Sequence, residues 1–539
     1  MPAIIKKVYF VMILRIPALL ILLLLEMSVF ANADTDSRLL LKQLLINKNK
    51  LPAPVYQYYQ ETDFSRVWMQ DNVLLPKAYD LYSVLTQADS KGLDIEGYGL
   101  DAIRKRWNIK DSVVRTELEI LLTHAFEKYS RHVANGRWEP YAVDPQWHIN
   151  VAPLNIKKIL TLLQTATVTE VFKRIEPGHN GYQALLKHLN AYQAIARQGG
   201  WVSIAPGPVV RPGQHHSQVP HIRQRLKVTN DLIANSTDTS DRMDVTLVEA
   251  VKLFQARHGL AIDGAVGLHT RAAMNVPVEE RIDQIRVNVE RWRWLPSDLG
   301  KRYLLINLAG FELYAREHGK TVLAMPVIIG KQYRETPSFS GKVRYLEINP
   351  YWTVPKSIVL KDLIPAQLRD PDFFKRKKIR VFDGWTENAK ELDITEVPLR
   401  KLNNNYFPYR FRQDPGPTNS LGRVKFMFPN PYDIYLHDTP KRYLFDRQVR
   451  AFSSGCIRVS DAVRLTAYLL NAPTQKKEED VLRWIYREEN RALSLVHTVP
   501  VYLLYMTAWA DWDGKLNFRN DIYGRDALMI NELNKNKIY

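Results

Sequence analysis

A single cysteine, Cys456, lies nineteen residues after a histidine, His437, and these two side chains could together perform acyl transfer. A thiol with a pKa of about 8.5 is only a few per cent thiolate at neutral pH, so it needs a base to become a nucleophile. A histidine within hydrogen-bond reach can accept the thiol proton and later return it to a leaving amine. We expect the resulting ion pair to lower the pKa of the thiol.

The cysteine count alone leaves other interpretations open. A lone thiol cannot form an internal disulfide, so it is an inert buried residue, an intermolecular link or a reactive group. The residues around Cys456 and His437 are what favour the reactive group.

The residues before His437 predict a strand from Tyr432 to Asp438 that ends before Pro440. Alternation places Tyr435 and His437 on one side of this strand, with the apolar Ile434 and Leu436 on the other. The histidine is therefore expected at a strand end, beside a turn.

The residues around Cys456 predict a glycine-containing loop directly before a helix at 461–470, with Ser460 as its cap. Such a loop can direct amides towards an anion. The amides of Gly455 and Cys456 and the Tyr435 hydroxyl are candidate oxyanion donors, each typically worth about 3–4 kcal/mol.

Arg458 follows two residues after the cysteine. It could bind a substrate carboxylate through two hydrogen bonds, or it could pair with Asp461 or a backbone carbonyl. The sequence does not separate these two roles.

The chain has 539 residues, 46% of them hydrophobic, and a net charge of +18. At roughly 100–200 residues per domain, this length predicts three or four globular units. The positive charge favours an anionic partner, such as nucleic acid, acidic lipid or a carboxylate-rich polymer.

The N-terminus has the pattern of a secretory signal. Lys6 and Lys7 precede an apolar stretch, and Ala31-Asn32-Ala33 supplies a cleavage site after Ala33. We therefore expect residues 1–33 to be a signal peptide, with an uncleaved membrane anchor as the alternative, and the rest to be periplasmic. Export argues against nucleic acid as the partner.

Helical periodicity dominates residues 34–215, which we interpret as a helical domain, and Gly207–Pro220 is rich enough in Gly and Pro to predict a linker. His215, His216 and His221 in that stretch are interpreted as surface histidines, and no metal or other cofactor is expected.

Residues 219–276 predict a compact three-helix module. It resembles the peptidoglycan-binding domain family through a set of residues at fixed spacing: Ala250-Val251, Phe254-Gln255, His258-Gly259-Leu260, Asp263-Gly264, Val266-Gly267, Thr270 and Ala273. The resemblance implies binding to the cell wall, and a generic helical bundle is the alternative.

After a linking helix at 277–299, the period changes to that of short strands, which predicts a mainly β domain over 300–515 and a C-terminal tail over 516–539. A charged, helical insertion at 357–402 interrupts the strands, and we expect it to act as a lid that excludes water. The predicted fold class is thus multidomain α+β.

Ser-Gly-Cys-Ile-Arg, preceded by His-Asp-Thr-Pro, resembles the active-site signature of the L,D-transpeptidase family. The resemblance extends to Asn349–Pro355 and Gly416–Phe426, and the helical N-terminal region is similar to the scaffold domain of a multidomain Gram-negative branch. Most of the family has histidine where this chain has Ser454.

The resemblance implies that the backbone carbonyl of Asp438 orients His437. It also implies a cleft that binds substrate through Arg458, Ser454, Trp352, Asn419 and Lys425. The implied activity is 3-3 cross-linking of peptidoglycan through a Cys456 thioester, with release of D-Ala and with carbapenems as inhibitors.

The implied partners are stem peptides, glycan and other cell-wall synthesis enzymes, with membrane contact only through an N-terminal anchor. A Cys–His peptidase that uses water as acceptor, and a non-catalytic wall-binding scaffold, are the alternative functions. The chain has no S-x-x-K and no H-E-x-x-H motif, which argues against serine and zinc peptidases.

Overall fold

The computed structural model describes residues 37–46, 51–233, 238–470 and 475–535. The predicted signal peptide at 1–33 lies outside these residues. The described residues divide into two compact units: the first takes those up to Arg137, Val151–Asn190 and Trp292–Trp294, and the second takes Trp138–Asn150, Ala191–Arg291 and those from Leu295 onward. Among the described helices, none combines the length and apolarity that a membrane span requires.

Helices build most of the chain before residue 294. In chain order they are α1 (37–46), α2 (Ala53–Glu61), α3 (Pro76–Leu85), α4 (Leu100–Arg106), α5 (Ser112–Asn135), α6 (Pro140–Val143), α7 (Ile156–Leu162), α8 (Val168–Ile175), α9 (Asn180–Arg197), α10 (Val219–Val228), α11 (Val245–Arg257), α12 (Leu268–Asn275) and α13 (Val278–Arg293). Three short strands lie among them: β1 (Met69–Gln70), β2 (Val73–Leu74) and β3 (Trp147–His148).

The first unit is organised around α5, the longest of these helices. Asp111 caps it by accepting from the amides of Val113 and Val114. Glu119 is fully buried on this helix, and its carboxylate accepts hydrogen bonds from the Trp68 amide, at 3.0 Å, and from the Tyr59 hydroxyl, at 2.8 Å. These bonds offset the cost of burying the charge and fix the loop around Trp68 against the helix.

The three-helix module is formed by α10, α11 and α12, and it includes part of the predicted linker. Val210 is fully buried in the module's core and pairs with Val266, whose amide donates to the Val210 carbonyl at 2.9 Å. The prediction of a linker at Gly207–Pro220 therefore needs correction, because an apolar side chain and a β-bridge anchor this stretch. His215 lies on the surface, 2.7 Å from Asp241.

Strands dominate the chain after residue 300. They are β4 (Arg302–Asn307), β5 (Glu312–Glu317), β6 (Lys320–Gly330), β7 (Ser338–Ile348), β8 (Trp352–Thr353), β9 (Ile379–Phe382), β10 (Glu391–Leu392), β11 (Arg410–Gln413), β12 (Val424–Met427), β13 (Leu436–His437), β14 (Ala451–Ser453), β15 (Ile457–Val459), β16 (Arg491–Leu504), β17 (Ala508–Ala510) and β18 (Leu516–Phe518). The helices are α14 (Lys356–Ile358), α15 (Ile364–Arg369), α16 (Phe373–Arg376), α17 (Ala462–Leu469), α18 (Gln475–Tyr486) and α19 (Arg525–Lys535).

The main sheet runs in the order β12-β13-β15-β6-β5-β4-β16-β7, and β12 also pairs with β7. These eight strands therefore form a closed circuit around an apolar core, against which α17 and α18 pack. β14 pairs with β6, and β3 pairs in parallel with β7. The predicted α+β architecture, with helices first and a mainly β domain after them, is confirmed.

The insertion at 357–402 contains α14, α15 and α16, as expected, and also β9 and β10, which the sequence pattern did not indicate. β9 pairs with β11, and β11 pairs with β8, so two strands of the insertion and the two strands that flank it form a second, four-stranded sheet. This sheet and the helices enclose a separate core that includes Val359, Phe374 and Phe411.

The predicted C-terminal tail is part of the folded domain. β18 pairs with β17, and Tyr523 packs into the core of the main sheet. The Tyr523 hydroxyl donates to the Gly330 carbonyl at 2.6 Å, and the ring stacks on Tyr505 with centroids 5.5 Å apart. The boundary predicted at residue 515 therefore needs correction, because buried aromatic contacts join the two sides.

Tyr523→Ala should lower the free energy of unfolding by about 3–5 kcal/mol, because it leaves a cavity and an unpaired carbonyl in the core. Urea denaturation of the full chain would measure the change. Tyr486→Ala is the matched control, since Tyr486 is 77% exposed and should change stability by no more than about 0.5 kcal/mol. Equal stability of the two variants would contradict the packing described above.

Candidate active site

Three neighbouring strands place three basic side chains in one row. Lys425 on β12 is aligned with His437 on β13, and His437 is aligned with Arg458 on β15. Since aligned residues of adjacent strands point to the same face of a sheet, the three side chains share a face.

Cys456 lies on the same face, two residues before Arg458. The strand pairing extends one step beyond β15, where the Ile457 amide donates to the Tyr435 carbonyl at 3.1 Å and brings Cys456 beside Tyr435. Cys456 and His437 are thus diagonal neighbours on adjacent parallel segments, and both line one cleft of about 870 Å³.

The strand that carries His437 is shorter than predicted. It contains only Leu436 and His437, because Asp433 has a φ of +53° and the Asn430 side chain accepts from the Tyr432 and Ile434 amides, which turns the chain. Tyr435 and His437 still lie together, with ring centroids 5.8 Å apart.

The setting of Cys456 also differs from the prediction. β15 lies between Cys456 and α17, so the helix N-terminus is not adjacent to the thiol. Asp461, rather than Ser460, caps that helix by accepting from the Arg464 amide at 2.9 Å. The loop before β15, and not a helix dipole, therefore forms the surroundings of the nucleophile.

The imidazole of His437 is held in one tautomer. Its Nδ1 lies 2.6 Å from the backbone carbonyl oxygen of Asp438. Because a carbonyl oxygen only accepts, Nδ1 carries the proton of the neutral ring and Nε2 keeps its lone pair. Burial, together with the charge of Arg458, lowers the pKa of His437 to about 3.

The Asp438 side chain fixes the end of the strand. One carboxylate oxygen accepts from the Arg423 amide at 2.9 Å, and the other accepts from the Arg442 guanidinium at 2.9 Å. Gly422 approaches so closely that a Cβ there would lie 2.5 Å from the Asp438 carboxylate. These contacts hold the carbonyl against which the imidazole is oriented.

The thiol of Cys456 lies against Tyr435 and Asp433. Its Sγ is 3.7 Å from the Asp433 carbonyl oxygen. The Tyr435 hydroxyl is hydrogen-bonded to Sγ and to Trp352, while the Lys425 ammonium lies 4.3 Å from the centre of the Tyr435 ring.

Desolvation in the cleft raises the pKa of the Cys456 thiol, although the hydrogen bonds from Tyr435 and the charges of Lys425 and Arg458 act in the opposite direction. A raised thiol pKa beside a lowered histidine pKa favours two neutral groups. The expected lowering of the thiol pKa is therefore not found, because desolvation opposes the charged form of each group.

The candidate oxyanion donors differ in availability. The Gly455 amide donates to Ser453 Oγ at 3.1 Å, and Ser453 Oγ donates to the Cys456 carbonyl at 2.5 Å. The prediction of Gly455 as an oxyanion donor therefore needs correction, because its N–H is already donated to Ser453 within the loop. The Cys456 amide donates to no acceptor in the described part of the chain, which leaves it available.

Arg458 lines the cleft without a protein partner. Its guanidinium forms no ion pair with a residue that the structure describes, and its Nε is buried and unpaired. Asp461, the predicted structural partner, is engaged as a helix cap. Of the two roles that the sequence left open, the structure favours that of a ligand for an anionic group.

The other predicted substrate residues divide into two groups. Trp352 and Ser454 line the cleft, whereas Lys425 is not among its lining residues and lies over the Tyr435 ring. Asn419 is fully buried. Its side chain donates to the Pro350 and Asp414 carbonyls and accepts from the Leu421 amide. The prediction that Asn419 binds substrate needs correction, because its amide holds the preceding loop together.

Sequence similarity assigns three segments to known families. Residues 301–481 match the L,D-transpeptidase catalytic domain, residues 53–189 match the Scaffold domain, and residues 215–274 match the family described as "Putative peptidoglycan binding domain". A "Putative L,D-transpeptidase" of Haemophilus influenzae is 32% identical over 251 residues, which are 46% of this chain and 49% of that protein. The first match identifies residues 301–481 as an L,D-transpeptidase catalytic domain. The chain spans about half the length of this curated relative.

Solved L,D-transpeptidases give weak overlays on the whole chain. The enzyme of Mycobacterium smegmatis has a TM-score of 0.19 at 10% identity, over 38% of this chain and 58% of that one. That of Stackebrandtia nassauensis has a TM-score of 0.21 at 12% identity, over 56% of this chain and 96% of that one.

The loop around Cys456 is held by residues that no sequence motif indicated. Arg334 donates to Ser454 Oγ at 2.7 Å and pairs with Asp362 of the insertion at 2.9 Å. Thr336 donates to the Gly455 carbonyl at 2.8 Å. The sequence alone did not indicate that a basic residue, Arg334, would contact Ser454 in this loop.

No group of three or more His, Cys, Asp or Glu side chains among the described residues could hold a metal ion.

Alkylation of Cys456 by iodoacetamide should follow a pH profile with its midpoint above the ordinary thiol value of about 8.5, because the cleft disfavours the thiolate. Tyr435→Phe should move the midpoint higher still, since it removes a hydrogen bond to the thiolate. Intact mass against pH measures both, because the chain has one cysteine. Tyr486→Phe is the control, and a midpoint below that of glutathione would contradict the assignment.

Proposed function

We propose that the chain is an L,D-transpeptidase that forms 3-3 cross-links in peptidoglycan. The observation that carries the proposal is the alignment of β13 with β15, which makes Cys456 and His437 diagonal neighbours in one cleft. Their order in the chain, with histidine first, is the reverse of the papain-like arrangement.

In the first half-reaction, Cys456 gives its proton to His437 Nε2, and Sγ bonds to the carbonyl carbon of the third residue of a tetrapeptide stem. The bond from that carbon to the nitrogen of the terminal D-Ala breaks, and His437 returns the proton to the leaving amine. We assign the Cys456 amide and the Tyr435 hydroxyl as the donors to the oxyanion formed on the way.

In the second half-reaction, a side-chain amine of another stem attacks the thioester. The new amide bond forms as the carbon–sulfur bond breaks, and the amine proton passes through His437 to the departing thiolate. A resting pair of neutral groups suits this cycle, because the proton leaves the thiol only when the thiolate is needed.

The charges around the cleft suit a substrate rich in carboxylates. Six basic side chains line it, against the three acidic ones of Glu335, Asp362 and Asp433; the basic residues are Lys331, Arg334, Lys361, Lys377, Lys441 and Arg458. A cleft with one predominant sign of charge concentrates ligands of the opposite sign. Arg458, which has no acidic partner among the described residues, supports recognition of a stem carboxylate.

The periplasm is the proposed location, and peptidoglycan is the proposed partner of both the catalytic domain and the three-helix module. Other cell-wall enzymes remain proposed partners. Carbapenems, which would acylate Cys456, are proposed inhibitors.

Incubation with purified disaccharide tetrapeptide should release D-Ala and give a cross-linked dimer. Cys456→Ala should abolish both products, and His437→Gln should lower the rate by about 10²–10⁴-fold, because the thiol loses its base. Mass spectrometry of the products measures both effects. His215→Ala, at an exposed histidine, is the control; dimer formation by Cys456→Ala would contradict the mechanism, and tripeptide without dimer would indicate a hydrolase.

Asp362→Ala should raise the ratio of hydrolysed tripeptide to dimer by about two- to five-fold. The reason is that a partly exposed ion pair worth about 0.2–1 kcal/mol ties the insertion to Arg334 at the mouth of the cleft, and its loss admits water. Product ratios from the same assay measure the change. Asp372→Ala, at an exposed aspartate of the insertion, should leave the ratio unchanged, and an equal shift in both variants would exclude a specific role for the contact with Arg334.

A further inference from the structure

A short segment from the N-terminal half of the chain is built into the catalytic sheet. Residues 138–150 group with the second unit, and β3 pairs in parallel with the start of β7, with Trp147 aligned with Ser338. The Ser338 amide donates to the Gln146 carbonyl at 2.8 Å. Trp147 and Ile149 are each only 2% exposed, so apolar burial holds the segment in place.

Gln146 is exposed, and it lines the cleft that contains Cys456, as do Glu335 and Pro337. Its carboxamide forms no hydrogen bond with a residue that the structure describes, although its backbone is fixed on both sides by bonds to Ser338 and Asp144. A carboxamide has two donors and one acceptor oxygen, which match the carbonyl and N–H groups of a peptide. The backbone is thus rigid, and the polar group is free for a ligand.

The same segment contacts the turn next to the nucleophile. The His148 ring stacks on Tyr432, with centroids 4.8 Å apart and planes at 29°. Tyr432 precedes Asp433, whose carbonyl lies 3.7 Å from Cys456 Sγ. Gln146 is therefore held in a defined position relative to the thiol by packed rings rather than by a mobile loop.

We propose that Gln146 is a substrate-binding residue, which hydrogen-bonds the peptide backbone of a stem bound in the cleft. The identity of the peptide rests on the proposed function; the role of the carboxamide rests on its place in the cleft that contains Cys456. The substrate cleft then includes Gln146, a residue from outside the segment 301–481 that matches the catalytic domain.

The test measures kcat and KM separately for dimer formation from disaccharide tetrapeptide. Gln146→Ala should raise KM about three- to ten-fold, the effect of one or two lost hydrogen bonds, and should leave kcat within about two-fold. Gln146→Glu keeps the shape but places a negative charge beside a stem rich in carboxylates, so KM should rise further and recover partly in salt. Asn150→Ala, an exposed carboxamide at the end of the same segment and away from the cleft, should match the parent chain.

Two further measurements separate binding from fold and from turnover. Acylation of Cys456 by a carbapenem, followed by intact mass, should proceed within about two-fold of the parent rate in Gln146→Ala, because the nucleophile is untouched. Titration of tetrapeptide into the Cys456→Ala chain should show weaker binding when Gln146→Ala is added.

An unchanged KM in Gln146→Ala and Gln146→Glu, alongside active parent enzyme, would overturn the inference and leave the proposed function standing. Slowed acylation with an unchanged KM would also overturn it, since it would assign Gln146 a structural role. Binding that depends on Gln146 in a chain without turnover would uphold the inference and reject the proposed function.

Discussion

The active site depends on the alignment of two residues of β13 between β12 and β15. This pairing places His437 beside Arg458 and, one step earlier, Tyr435 beside Cys456. A shift of one residue would turn either His437 or Cys456 to the opposite face of the sheet, because side chains alternate along a strand. The closed circuit of eight strands and the Asp438 contacts with Arg423 and Arg442 prevent such a shift.

Burial has opposite consequences for the two groups that exchange the proton. It lowers the pKa of His437 and raises that of Cys456, so desolvation favours the neutral form of each group before substrate arrives. The positive side chains of Lys425 and Arg458 then have two effects: they disfavour the charged histidine, and they favour the thiolate and any oxyanion that follows from it. The site is therefore better suited to charge that develops during the reaction than to charge held at rest.

The sequence was sufficient for the parts of this arrangement that are local. Alternation about His437, the glycine at Gly455 and the fixed spacing in the three-helix module all concern residues within one short segment. It was insufficient where the folded geometry decides the outcome. The sequence does not show that Ser453, two residues away, accepts the Gly455 N–H, or that the distant Pro350 carbonyl accepts from the Asn419 side chain. Arg334 and Gln146 line the cleft, and Thr336 contacts its loop, only through tertiary pairing.

The parallel pairing of β3 with β7 has a consequence for how such chains diversify. Domains that are linear in sequence can be exchanged between related chains by recombination at their boundaries, whereas here residues 138–150 and the stretch after β17 belong to the same folded body as the sheet. A crossover anywhere between β3 and β7 would join a sheet from one parent to an edge strand from another. Trp147, Ser338 and Tyr523 therefore belong to one folded body, although up to 376 residues separate them along the chain.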